Sequence, residues 1–74
     1  MAIENVINPK HYAEGRKFEP WDVIHDWNLD FDLGNVVKYI SRAGRKGSEI
    51  EDLEKARAYL NHAIDCRRAN GAND

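Results

Sequence analysis

Residues 30–53 read DFDLGNVVKYISRAGRKGSEIEDL, and their pattern decides the fold. Leu33, Val36, Val37, Ile40 and Ala43 recur at i, i+3, i+4 and i+7, the spacing of a helix with one apolar stripe. Asp30 and Asp32 both suit its N-cap, because a carboxylate accepts from the orphan N–H groups of a first turn. Gly44 fits the left-handed position that ends many helices, and Gly47 continues the turn. Ser48 and Glu51 read as a Ser-x-x-Glu capping box that opens another helix. Leu53, Ala56, Leu60, Ala63 and Ile64 supply the apolar stripe of that helix. Arg67 and Arg68 fall in its last turn, where cations complement the dipole. The connection between the two helices is short, so the sequence predicts that they lie antiparallel.

Working outward, Pro20 suits the first position of a helix, where a missing N–H costs nothing. Trp21, Ile24 and Trp27 or Asn28 then follow at helical spacing, which predicts a short helix over 20–28. Both tryptophans read as core or interface anchors. Residues 1–19 lack a helical period and are punctuated by Asn8-Pro9 and Gly15, the mark of an extended arm. Ile3, Val6 and Ile7 suit either a short strand in that arm or packing on a neighbouring subunit. Residues 69–74 are polar and read as a frayed tail. The expected architecture is all-α: a short helix plus an antiparallel helical hairpin with an extended N-terminal arm. It forms one domain over 1–74, with the helical module at 20–68.

Composition narrows the classes. The chain has 74 residues, 42% hydrophobic and 32% charged, which fits one folded domain rather than disorder. A chain below roughly 70–80 residues rarely builds a core worth more than about 3–5 kcal/mol. No disulfide is available to help, so a homo-oligomer is expected. No apolar run approaches the twenty or so residues of a membrane span. The single cysteine, Cys66, and the lack of a secretory leader pattern point to a reducing cytoplasm. A net charge of -2 argues against a general duplex-DNA binder.

Charge is segregated along the chain. Glu19, Asp22, Asp26, Asp30 and Asp32 form an acidic stretch, whereas residues 34–48 carry Lys38, Arg42, Arg45 and Lys46 and no acid. On a helical wheel, Lys38, Arg42 and Arg45 share a sector bordered by Asn35 and Tyr39. An ordinary solvated face explains such a stripe. The competing explanation is an anion site. The stripe leads into Gly44-Arg45-Lys46-Gly47-Ser48, a glycine-flanked turn feeding a helix N-terminus, where backbone N–H groups favour phosphate. The spacing is not that of a Walker A loop. The cluster Asn8-Pro9-Lys10-His11-Tyr12 adds a histidine that can donate to phosphate and a tyrosine that can stack on a base.

Two carboxylate pairs, Glu19-x-x-Asp22 and Glu49-x-x-Asp52, have the one-turn spacing of magnesium ligands. The first straddles Pro20 and Glu49 lies in a capping segment, so no metal is expected at either. His62 and Cys66 stand at i and i+4 as two potential ligands without a third partner nearby, and structural roles are expected for both.

The ordered set Asn8-Pro9-x-His11-Tyr12, Phe31-x-x-Gly34-Asn35-x-x-Lys38-Tyr39-Ile40-x-Arg42, Ala43-Gly44-x-Lys46-Gly47 and Asp52-Leu53-x-Lys55-Ala56-x-x-Tyr59-Leu60 resembles a small phage protein family. That family was long catalogued as a domain of unknown function and is also called nucleotide-kinase-like or SaV-like. The resemblance spans about residues 5–62. It implies a phage-encoded oligomer that handles nucleotides in the host cytoplasm. The ligand residues it implies are His11, Tyr12, Asn35, Lys38, Tyr39, Arg42 and Lys46, with Asp52, Lys55 and Tyr59 as additions.

Three functions then compete. The first is a nucleotide-binding oligomer that sequesters a cyclic or modified signalling nucleotide without chemistry, similar to the small helical anti-defence sponges of phages. It needs cationic fork donors for phosphate, an aromatic face for the base and no cofactor. The second is a nucleoside monophosphate kinase, which needs magnesium and a triphosphate donor. The third is an inhibitor that binds a host enzyme through the acidic stretch 19–32.

Overall fold

The computed structural model describes residues 15–71 of the 74-residue chain. The arm residues 1–14, including the expected strand and the His11-Tyr12 cluster, and tail residues 72–74 lie outside that description. Among the described residues the chain forms three α-helices and no strand: α1 (Pro20–Asp26), α2 (Phe31–Arg42) and α3 (Glu49–Ala69).

Each boundary has a local cause. At α1, the Glu19 backbone N–H donates to Asp22 Oδ2 at 3.0 Å, so the first acidic pair caps a helix rather than presenting two ligands. The helix stops at Asp26, two residues short of the expected end, because Asn28 turns left-handed with φ 54°. Asp30, not Asp32, caps α2: its Oδ1 accepts from the Leu33 N–H at 3.0 Å. That backbone donor is the largest influence holding the Asp30 carboxyl below its ordinary value; desolvation opposes it, and Arg67 adds smaller lowering effects. Ser48 caps α3 through its hydroxyl, which accepts from the Glu51 N–H at 3.2 Å. Ala69, expected in the tail, is still helical.

The helices α2 and α3 pack on each other, and their side-chain pairs run in opposite directions along the two. Arg42 meets Asp52, Tyr39 meets Tyr59, Asp32 meets His62 and Asp30 meets Arg67. The last pair closes at 3.2 Å, from Arg67 Nη2 to Asp30 Oδ2. The short α1 lies against α2 where Gly34 is buried. A Cβ at Gly34 would stand 3.4 Å from Ile24 Cγ2, so glycine here permits close approach. Arg16 adds a tie from the segment before α1, donating through Nη2 to the Ser41 carbonyl.

Burial departs from the expected stripes. The buried apolar side chains among the described residues are Ala56 and Ala63, whereas Ile40, Leu53, Leu60 and Ile64 are exposed. One partner helix covers only a narrow strip of α3, and the strip contains the alanines. Trp21 and Trp27 are not core residues either, being 51% and 64% exposed.

The turn between α2 and α3 rests on Gly44, whose φ is +84° and whose added Cβ would lie 3.3 Å from Glu49 Oε2. Left-handed backbone costs a non-glycine residue roughly 1–2 kcal/mol. Gly44→Ala is therefore expected to lower stability by about that amount in urea melts, with helix content of the folded state unchanged.

Candidate functional site

The basic sector of α2 folds into a cluster around one ring. Lys38 Nζ lies 5.2 Å from the Tyr39 ring centroid, Lys55 Nζ 5.5 Å and Arg42 Cζ 5.6 Å. All three are within cation–π range of about 6 Å. Tyr39 is itself stacked on Tyr59, with centroids 5.9 Å apart and planes 13° from parallel. Phe31 meets the other side of the row, edge-on to Tyr59 at 5.9 Å. Two helices thus build an aromatic row of Phe31, Tyr59 and Tyr39 with three cations at its Tyr39 end.

Helical spacing explains the placement. Lys38, Tyr39 and Arg42 sit on adjacent turns of α2, while Asp52, Lys55 and Tyr59 recur at i, i+3 and i+7 on α3. Docking of the two faces brings both sets together. The local charge is unbalanced. Asp52 is 3% exposed, and its Oδ1 lies 3.7 Å from Arg42 Nε, whose side chain is one-third exposed. Lys38 and Lys55 make no ion pair among the described residues. Of the three cations around the ring, Arg42 alone is ion-paired among the described residues, which leaves two unpaired ammonium groups beside stacked rings. Such a cradle suits an anion that carries a flat group.

Buried polar atoms mark the same place. Asp52 Oδ2 and Arg42 Nε are buried with no hydrogen-bond partner among the described residues. Unsatisfied groups of this kind are uncommon in native proteins.

The expected residues divide accordingly. Lys38, Tyr39, Arg42, Asp52, Lys55 and Tyr59 come together. Asn35 lies one turn earlier on α2, where its amide donates to the Phe31 carbonyl at 2.9 Å. Lys46 is exposed in the turn and joins no ion pair or ring contact among the described residues. The turn also has fewer spare amides than its glycines suggest, since the Arg45 N–H donates to the Arg42 carbonyl at 2.8 Å. His11 and Tyr12 lie outside the described residues. Phe31 was not expected at the site; its position one turn before Asn35 was the available signal.

A second group of side chains also corrects the sequence reading. His62 and Cys66 do have a third neighbour, Asp32, whose Oδ2 lies 2.6 Å from His62 Nδ1.

The profile of one protein family matches residues 6–61, and its description is "protein of unknown function (DUF3310)". The chain belongs to the DUF3310 family. The matched span contains α1, α2, the glycine turn and α3 as far as Asn61, so the family pattern includes every member of the cationic cluster. No curated protein and no solved structure matched the chain. No helix among the described residues is long and apolar enough to cross a membrane.

Arg42 has two partners of different kind, a buried carboxylate and a half-buried ring, so its removal strands Asp52. Leaving one buried partner unsatisfied costs about 1–3 kcal/mol. Arg42→Ala is expected to destabilise the fold by about that much, and by less when Asp52→Asn is already present. A double-mutant cycle from urea denaturation measures the coupling. Equal losses in both backgrounds would show that the pair does not hold the helices together.

Proposed function

We propose that this chain is a phage-type oligomeric protein that binds a nucleotide at the Lys38–Arg42–Lys55 cluster and sequesters it, without chemistry, in the host cytoplasm. The observation that carries the reading is the convergence of three cations on one tyrosine that is stacked on another. Phosphate oxygens would take charge-assisted hydrogen bonds from Arg42, Lys38 and Lys55. The base would lie along the aromatic row of Tyr39, Tyr59 and Phe31. His11, Tyr12 and Lys46 would complete the ligand set if arm and turn fold over it, with Asn35 at its edge. The resemblance to the nucleotide-kinase-like, SaV-like type supports the ligand class. A cyclic or modified signalling nucleotide is the ligand that an anti-defence sponge would hold.

Assembly belongs to the same reading. Exposed Ile50, Leu53, Leu60 and Ile64 lie along α3 at spacings that suit a helix–helix seam, and Ala56 and Ala63, the buried apolar side chains among the described residues, are a small core. A homo-oligomer would cover that face. Sedimentation at micromolar concentration should therefore give a mass of at least twice the 8.5 kDa of one chain. A single-chain mass would remove the oligomer from the proposal.

A kinase remains the second reading because of Asp52. A buried carboxylate beside phosphate-binding cations is where a nucleoside monophosphate kinase would place an acid that helps hold magnesium. An inhibitor that binds protein through residues 19–32 finds less support, because Glu19 is buried, Asp22 caps α1, and Asp30 and Asp32 are engaged with Arg67 and His62.

Calorimetry with a panel of cyclic dinucleotides and nucleoside mono- and triphosphates tests the reading. Hydrogen bonds to charged groups are worth roughly 1.5–3 kcal/mol, or about a ten- to hundredfold change in affinity. Lys38→Ala and Lys55→Ala are the clean probes, since neither residue is needed by a buried acid, and each should weaken binding at least about tenfold. Arg42→Lys keeps a charge beside Asp52 but loses the planar fork, so it should also weaken binding. Unchanged affinity in all three would return the cluster to an ordinary solvated surface. Nucleotide incubated with the protein, magnesium and a triphosphate donor, then released by denaturation, should return intact. Phosphorylated product in molar excess over protein would establish the kinase instead.

A further inference from the structure

Asp32 on α2 and His62 and Cys66 on α3 form a second cluster of chemistry-bearing side chains. Asp32 sits in the first turn of α2, and its side chain is mostly covered. His62 and Cys66 stand one turn apart near the C-terminal end of α3, both accessible. The three ligand-type atoms lie within 4.8 Å of one another.

The distances assign a role to each. His62 Nδ1 is 2.6 Å from Asp32 Oδ2, a hydrogen bond in which the ring N–H donates to the carboxylate. That bond fixes the tautomer with the proton on Nδ1 and leaves the Nε2 lone pair free. Cys66 Sγ is 3.7 Å from the same Nε2. Zinc–sulfur and zinc–imidazole bonds of about 2.3 and 2.0–2.1 Å at a tetrahedral angle separate the two ligand atoms by about 3.6 Å. The sulfur–Nε2 distance matches that edge, but Sγ is also 3.9 Å from Nδ1, so the sulfur stands beside the ring and a side-chain rotation of Cys66 brings it in line with the Nε2 lone pair. A carboxylate behind a ligating histidine is the usual second partner of such sites, since it orients the ring and raises its basicity.

We propose that His62 Nε2 and the Cys66 thiolate bind a thiophilic divalent cation, zinc foremost, with Asp32 as the positioning carboxylate. Binding displaces the thiol proton to solvent, and water completes the coordination sphere. Both ligands belong to α3, so the ion would act on α2 only by strengthening the His62–Asp32 hydrogen bond that already joins the two helices. That is a useful restraint in a chain whose buried apolar side chains, among the described residues, are two alanines.

The test is a cobalt(II) titration of the full chain under a non-thiol reductant, followed by absorption. The expected result is a thiolate-to-cobalt charge-transfer band that saturates at one ion per chain and is lost when zinc is added. Cys66→Ser should abolish the band. His62→Ala, at an accessible position, should weaken binding at least about tenfold, and Asp32→Asn should retain the band at about 10–100-fold lower affinity. Circular dichroism of each variant confirms the fold. A wild-type chain without the band overturns the site. A band of equal affinity in His62→Ala overturns it as well, since it would mean a lone thiol. An unaltered affinity in Asp32→Asn would remove the positioning role. Nucleotide affinity is read separately at the other cluster, so failure of one site leaves the other unjudged.

Discussion

Ala56 and Ala63 set how closely α2 and α3 approach, and the rest of the described structure depends on that approach. Their side chains are 5% and 2% exposed, and no larger apolar side chain is buried among the described residues. Small residues at a helix contact bring backbones near one another, and long side chains flanking the line then meet across it. Tyr59 reaches Tyr39, Asp52 reaches Arg42, and His62 reaches Asp32 because these residues border the alanine line. A leucine at either alanine position would separate the helices and dissolve all three contacts at once. The candidate site and the fold are therefore drawn from the same narrow seam.

The seam explains which features were legible in the sequence. Helix periods, the Asp30 and Ser48 caps and the left-handed Gly44 are local properties, and they were readable within a few residues. Burial was not. The apolar stripe of α3 is wider than one partner helix can cover, so Leu53, Leu60 and Ile64 read as core and stand exposed. Trp27 failed for a related reason: the left-handed Asn28 ends the helix beside it, and nothing among the described residues covers its ring.

The site divides along the same line. Lys38, Tyr39 and Arg42 were legible from a helical wheel because they share one element. Lys55 and Tyr59 came only from the resemblance, since no periodicity within α2 could reveal a partner face on α3. Asp32 with His62 was illegible, being a contact across 30 residues. Glu19 and Asp22 are the converse case, where no metal was expected because the pair straddles Pro20. Their spacing suggested paired ligands, but a proline at the first helical position puts the same spacing to use in capping.

Arg42 links the buried helix contact to the cationic cluster. Its Nε faces a carboxylate that is almost wholly buried, and its guanidinium carbon lies over Tyr39 among two other cations. Without Asp52, three positive groups around one ring would repel one another. Without Arg42, the buried carboxylate would have no counter-charge. The pair lets a positive cradle exist on a chain whose net charge is -2. An anionic ligand would relieve the remaining repulsion between Lys38, Lys55 and Arg42, so binding and stability share one electrostatic origin. A ligand that relieves strain in the folded state raises the folded population by mass action. Occupancy of the cradle would then tighten the α2–α3 contact itself.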